Sequence, residues 1–211
     1  MNRVYVVGEG NSEYKAMFLR NGWVVTEVLD SADLVQFTGG SDVTPILYGE
    51  VKHMQTYNDA NRDLYEVGQF LKAQRLGIPC AGICRGGQFL NVMCGGSMRQ
   101  DIHHHAMSGT HRIKTVFGST GGFSLLDVSS THHQMMIPAE HGSVLLAHAY
   151  HMPADVLYEI GEQDEHLQAE AVLYPGFNVL CYQPHPEFYV NWNRDNCAYY
   201  FELIDNLMDG V

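Results

Sequence analysis

The run Gly82-Ile83-Cys84-Arg85-Gly86 constrains this chain more than any other feature of it. An apolar stretch, Ile78 to Ile83, feeds into it, and a helical pattern leaves it from Gly86 onwards. Small residues two before and two after a central side chain are what a sharp strand-to-helix turn demands, because neighbouring backbone passes close by on both sides. The flanking sequence continues the strand-and-helix rhythm. Val4 to Val7 is a strand candidate, Ser12 to Arg20 a short helix, Val24 to Leu29 a strand, and Leu34 to Phe37 a strand ending at Gly39-Gly40. Asn61 to Leu76 carries Leu64, Val67 and Leu71 at helical spacing, and Gly77 stands where a helix C-cap wants it. Parallel strands need long crossovers, so this half predicts a parallel sheet with helices on its faces.

The second half changes character. His111 to Phe117, Ser124 to Ser129, Val144 to Tyr150, Glu170 to Tyr174 and Val179 to Tyr182 are strand candidates joined by short turns, which predicts an antiparallel or mixed extension of the sheet. A closing helix from Asn193 to Met208 has Cys197, Tyr200, Leu203, Ile204 and Leu207 at helical spacing and is expected to pack back on the sheet, with Tyr199-Tyr200-Phe201 as packing residues. The chain has 211 residues, against about 150 for an ordinary domain, so one domain over 1–211 is expected. The fold class is α/β, a three-layer sandwich with a mostly parallel central sheet, helices on both faces and an antiparallel extension.

Charge excludes some functions. Twelve basic residues against 24 acidic leave a formal charge of −12, which argues against sequence-independent binding to nucleic acid and to anionic membrane surfaces. Five cysteines, Cys80, Cys84, Cys94, Cys181 and Cys197, form no CxxC pair in a chain large enough to need no disulfide. A reducing compartment follows as the expectation. No apolar run approaches the roughly 18 residues of a membrane span, and the chain reads as a soluble, cytoplasmic protein.

The turn singles out Cys84 from the other four thiols as a candidate nucleophile. At the N-terminus of the following helix, oriented N–H groups favour a thiolate. A thiol nucleophile needs a base, and the base needs an orienting group. Gln183-Pro184-His185-Pro186-Glu187 offers both, His185 to take the thiol proton and later protonate the leaving amine, Glu187 to hold the imidazole and stabilise its cation. Pro184 and Pro186 stiffen the segment.

Gly82 to Gln88 together with His185-Pro186-Glu187 resembles the class I glutamine amidotransferase superfamily, whose triad is Cys, His and Glu. Further blocks are similar to its gamma-glutamyl hydrolase-like branch: Gly39 to Glu50, Arg62-Asp63 with Glu66, Asn91-Val92, Gly95 to Ile102, and Ser130-Thr131-His132-His133-Gln134. The resemblance implies the flavodoxin-like fold of that superfamily and the γ-amide of glutamine, or a γ-glutamyl amide, as substrate. Cys84 would form a glutamyl thioester that water hydrolyses. The resemblance further places the oxyanion on the backbone N–H groups of Gly40 and Arg85, and the glutamyl portion against Gln88 and Ser130, Thr131 and His132. Asp42 either contributes on the loop after Gly40 or caps its turn. Three uses of such a domain stay open: a self-contained hydrolase, a glutaminase subunit that delivers ammonia to a separate synthetase, and a non-catalytic binding module. The branch commonly has a bulky residue where Pro184 stands, which bears on substrate preference rather than chemistry.

The 12 histidines raise a metal question. His103-His104-His105 with His111 lacks the spacing of tetrahedral zinc ligands, since three consecutive residues cannot all face one ion on regular structure. A solvated polar loop is expected there, with no metal and no cofactor. His132 and His133 fall nearer the expected glutamine pocket, and His148, His151 and His166 form no interpretable arrangement.

Overall fold

The computed structural model describes residues 1–8, 11–102, 109–116, 123–150, 168–190 and 193–210. Strand β1 (Arg3–Val7) leads into α1 (Ser12–Arg20), followed by the short β2 (Val24–Val25) and by β3 (Leu34–Phe37). Helix α2 (Ala60–Leu76), β4 (Cys80–Ile83) and α3 (Arg85–Met93) come next. The remainder holds β5 (Ser97–Arg99), β6 (Gly109–Thr115), β7 (Leu125–Ser130), β8 (Met135–Ile137), β9 (Val144–Tyr150), β10 (Ala169–Tyr174), β11 (Val179–Tyr182) and the closing helix α4 (Arg194–Asp209).

All the strands join one sheet in the order β2-β1-β3-β4-β11-β10-β9-β6-β7, with β8 pairing β10 off that path and β5 pairing β8. The five strands from β2 to β11 are parallel. From β11 outwards every pairing is antiparallel. Both faces of the parallel part are covered, so β3, β4 and β11 are buried at every position. On one face α1 and α4 bring Met17, Phe18, Tyr200 and Ile204 onto Val4, Leu34, Ala81, Ile83 and Leu180. On the other, α2 and α3 bring Phe70, Ala73, Phe89 and Leu90 onto Val35, Phe37, Cys80, Val179 and Cys181. This is the expected three-layer α/β sandwich with its antiparallel extension.

Local chemistry explains where the elements depart from the sequence expectation. The strand expected over Val24 to Leu29 stops at Val25, because Thr26 Oγ1 accepts the Val28 N–H and meets Ser31 Oγ, starting a 3₁₀ turn at Leu29–Ser31. The strand expected from Ile78 begins at Cys80, after Pro79, which has no N–H to donate. Helix α2 starts at Ala60 because the Asp59 side chain accepts the N–H groups of Asn61 and Arg62, and it ends on Gly77 at φ 66° as expected.

Of its apolar stripe only Val67 packs against the core. Leu64 and Leu71 are 74% and 51% exposed, whereas Asp63, Glu66, Phe70 and Ala73 are buried. Strands β5 and β8, three residues each, are too short to show a period, and the sequence offers no sign of them.

Candidate active site

Cys84 sits between β4 and α3 at φ 52° and ψ −117°, one of only two non-glycine residues with positive φ among the described residues. Such backbone costs on the order of 1–3 kcal/mol and persists only where the surroundings enforce it. Here its N–H donates to the Tyr182 carbonyl at 2.7 Å and its own carbonyl accepts from the Gln88 N–H at 3.0 Å. A Cβ on Gly82 would overlap the Gly86 carbonyl group, and one on Gly86 would lie 2.5 Å from the Phe37 carbonyl oxygen. These are the two close approaches expected of small residues on either side of the candidate nucleophile. Gly87 is a third, since its Cβ would lie 2.8 Å from Tyr182 N.

No other cysteine is so placed. Cys80, Cys94 and Cys181 are buried, and burial pushes their thiols up, that of Cys80 to about 12. Burial also raises Cys197, on α4.

His185 lies opposite Cys84. The His185 Cε1 and Cys84 Cβ atoms come within 3.3 and 3.5 Å of the place a Cβ on Gly39 would take. Glu187 Oε1 holds His185 Nδ1 at 2.5 Å, leaving Nε2 for the thiol side. The segment is pinned from both directions, with the His185 N–H donating to Ser129 Oγ at 2.9 Å and Asn193 Nδ2 donating to the His185 carbonyl at 2.8 Å. Phe188 stacks on the imidazole with 4.6 Å between centroids and 4° between planes. Burial alone would lower the His185 pKa, but the facing Cys84 and the Glu187 carboxylate reverse the sign and hold it up at about 10.

Tyr14, on α1, is a site neighbour that sequence reasoning missed. Its phenol oxygen accepts the Gly39 N–H at 3.0 Å, and burial, with Glu187 and Cys84 nearby, pushes its pKa well above the usual value. Its only sequence signal is a polar-tipped aromatic on the buried side of an otherwise apolar helix face.

A buried charge network supports the loop after β3. Arg62 Nη2 donates to the carbonyls of Thr38 and Gly39 at 2.9 and 3.0 Å, while its Nε meets Glu66 at 2.8 Å. Arg85, 1% exposed, pairs with both Asp63 and Glu66, and Asp63 also accepts the Thr44 N–H at 3.0 Å. Two cations therefore neutralise two anions out of water, which is why α2 buries its acidic side. Burial and the nearby Arg62 lower the Arg85 guanidinium to about 10, still charged at neutral pH. Gly40, at φ 138°, leaves no room for a Cβ beside Arg62. Arg85 is the first residue of α3, so its N–H has no acceptor within the helix.

Gln88, buried one turn into α3, donates its Nε2 to Gln183 Oε1 at 3.0 Å and to the Gln134 carbonyl at 3.3 Å. His132 is buried and donates Nδ1 to that same carbonyl at 2.8 Å, whereas Thr131 is exposed and the backbone of Ser130 pairs with Gly109 across β7 and β6. Asp42 makes tertiary contacts: Oδ2 accepts the Tyr57 N–H at 2.7 Å, 15 residues on, and Oδ1 lies 3.2 Å from His133 Nε2. His103 to His105, His151 and His166 lie outside the described residues, and among those described no helix is long and apolar enough to cross a membrane.

The family described as Peptidase C26 matches residues 17–180. The glutamine amidotransferase-like protein YvdE of Lactococcus lactis subsp. lactis (strain IL1403) is 32% identical over 178 residues, which cover 77% of this chain and 69% of that protein. Four further curated relatives are covered over 31% to 47% of their own lengths. Among solved structures, a glutamine amidotransferase from Thermotoga maritima superposes with a TM-score of 0.63 at 18% identity, covering 99% of this chain and 86% of that one. PurLQS from the same organism gives 0.61 at 16% identity, covering 95% and 100%. These two likenesses concern the fold.

Proposed function

The chain belongs to the Peptidase C26 family, within the class I glutamine amidotransferase-like superfamily, and from that premise we propose that it hydrolyses the γ-amide of glutamine or of a γ-glutamyl amine through a thioester on Cys84. His185 Nε2 takes the thiol proton, and Cys84 Sγ attacks the γ-carbonyl carbon. The developing oxyanion falls to the N–H groups of Gly40 and Arg85, donors that typically contribute on the order of 100-fold or more each. His185 then gives its proton to the departing ammonia or amine. Water, deprotonated by the same imidazole, cleaves the thioester to glutamate and free thiol. Gln88 and the Ser130 to His132 backbone border the glutamyl side.

The observation that carries this reading is the alignment of Cys84, His185 and Glu187, with a strained nucleophile backbone at one end and a 2.5 Å orienting hydrogen bond at the other. Purified protein assayed with glutamine and a panel of γ-glutamyl amines is expected to release glutamate in the steady state, and Cys84→Ala to lose at least about 1,000-fold in kcat. Unchanged turnover in Cys84→Ala overturns the mechanism. Ammonia release from glutamine that rises many-fold only with a synthetase present would assign the chain to the delivering subunits. The description of a relative as a glutamine amidotransferase-like protein supports this second use.

A further inference from the structure

Beside the nucleophile's pocket, three side chains from separate segments converge: His111 on β6, His132 just before β8, and Glu170 on β10. Their ligand atoms all lie within 4.8 Å of one another. His111 Nε2 is 2.9 Å and His132 Nε2 3.8 Å from the same carboxylate oxygen, Glu170 Oε1. These two separations bracket the roughly 3.4 Å that tetrahedral ligands keep when each stands about 2.1 Å from a zinc ion.

Two further details concern aim. A carbonyl can only accept, so the 2.8 Å contact from His132 Nδ1 to the Gln134 carbonyl puts a ring proton on Nδ1 and leaves Nε2 as the nitrogen that faces Glu170. That is the arrangement by which metal-bound imidazoles are held in one tautomer. On β10 the register against β9 shifts across Glu170, between Ala169 and Ala171, and again between Ala171 and Val172. Such irregularities re-aim a side chain out of the regular pleat.

We propose that His111, His132 and Glu170 form a binding site for one zinc-class divalent cation, separate from Cys84 and adjoining the pocket through the Gln134 carbonyl that His132 and Gln88 share. Two imidazole nitrogens and one carboxylate oxygen suit zinc or cobalt with a fourth position open, whereas magnesium and calcium demand oxygen ligands throughout. The ion takes the place of the proton between His111 and Glu170, and that proton leaves to solvent. Bound there, it ties β6, the segment before β8 and β10 together at one point.

Binding is read without turnover, so the outcome is independent of the amidase reading. The full chain carrying Cys84→Ala, which removes the nucleophilic thiol as a competing ligand, is stripped with chelator and titrated with Zn²⁺ by calorimetry and with Co²⁺ by visible absorption. One equivalent is expected, with micromolar or tighter affinity and a cobalt spectrum lacking a sulfur-to-metal band. His111→Ala, with its fold checked by circular dichroism, is expected to weaken binding by about 100-fold or more. Absence of stoichiometric binding, a sulfur-ligated spectrum, or unaltered affinity in a folded His111→Ala chain overturns the proposal.

Discussion

The parallel and antiparallel halves of the sheet do different work. In the parallel half, strands buried on both faces end in turns that hold the proposed catalytic groups: Gly39-Gly40 after β3, Cys84 after β4, and His185 with Glu187 after β11. In the antiparallel half, β6 and β9 are only partly buried, and the groups offered to the site are supports: the Ser129 hydroxyl under His185, and His132 and the Gln134 carbonyl beside Gln88. Open α/β sheets place ligands outside the carboxyl ends of their parallel strands.

Removing a group from each half in turn tests this division. Glu187→Gln, in the parallel half, is expected to lower kcat by about 100- to 10,000-fold, since an amide no longer stabilises the imidazolium. It also moves the pH profile in a defined direction. Glu187 helps hold His185 up at about 10, so its loss lowers that pKa towards the ordinary 6.5. The alkaline limb of kcat/KM, where the imidazolium is lost, moves to lower pH. An unmoved limb would break the assignment of Glu187 as the orienting group.

Arg85→Met is expected to act on stability first. It leaves Asp63 and Glu66 buried with only Arg62 between them, and breaking a buried pair from one side costs about 3–5 kcal/mol. Urea unfolding read by circular dichroism gives the value. A shift of the midpoint as small as that of an exposed substitution would show that the network is not the frame of the loop after β3.

In the antiparallel half, Ser129→Ala removes one hydrogen bond to the His185 N–H, worth about 1 kcal/mol. A loss of about 10-fold in kcat with little change in KM is expected as the imidazole loosens. A loss as deep as that of Glu187→Gln would show that supports and chemistry are not divided between the halves.

The parts of the fold that were legible are those with a long period or a strong punctuation. Helix α1, β3, β9 and β11 fall on the expected residues, and Gly77 caps α2. The elbow was legible because glycine at 82 and 86 answers to a steric demand that any sequence shows. What stayed hidden depends on partners distant in the chain. The Leu64 and Leu71 stripe marked α2 as helical without telling which side is buried, because the deciding interaction is with Arg85, 19 and 22 residues from its two acidic partners. Arg85 itself was weighed for its N–H alone. Tyr14 meets Gly39 across 25 residues, and His111 meets Glu170 across 59, distances over which no local period speaks.

Cys84 and Arg85 are joined by a single peptide bond, yet one side chain faces the reaction and the other sits in the frame of the molecule. Loss of function and loss of shape are thereby separable within two neighbouring codons. On the proposed mechanism, a chain changed at 84 keeps the shape of the protein and stays fit to occupy the surfaces its unaltered counterpart would occupy, whereas a change at 85 is expected to weaken that shape itself.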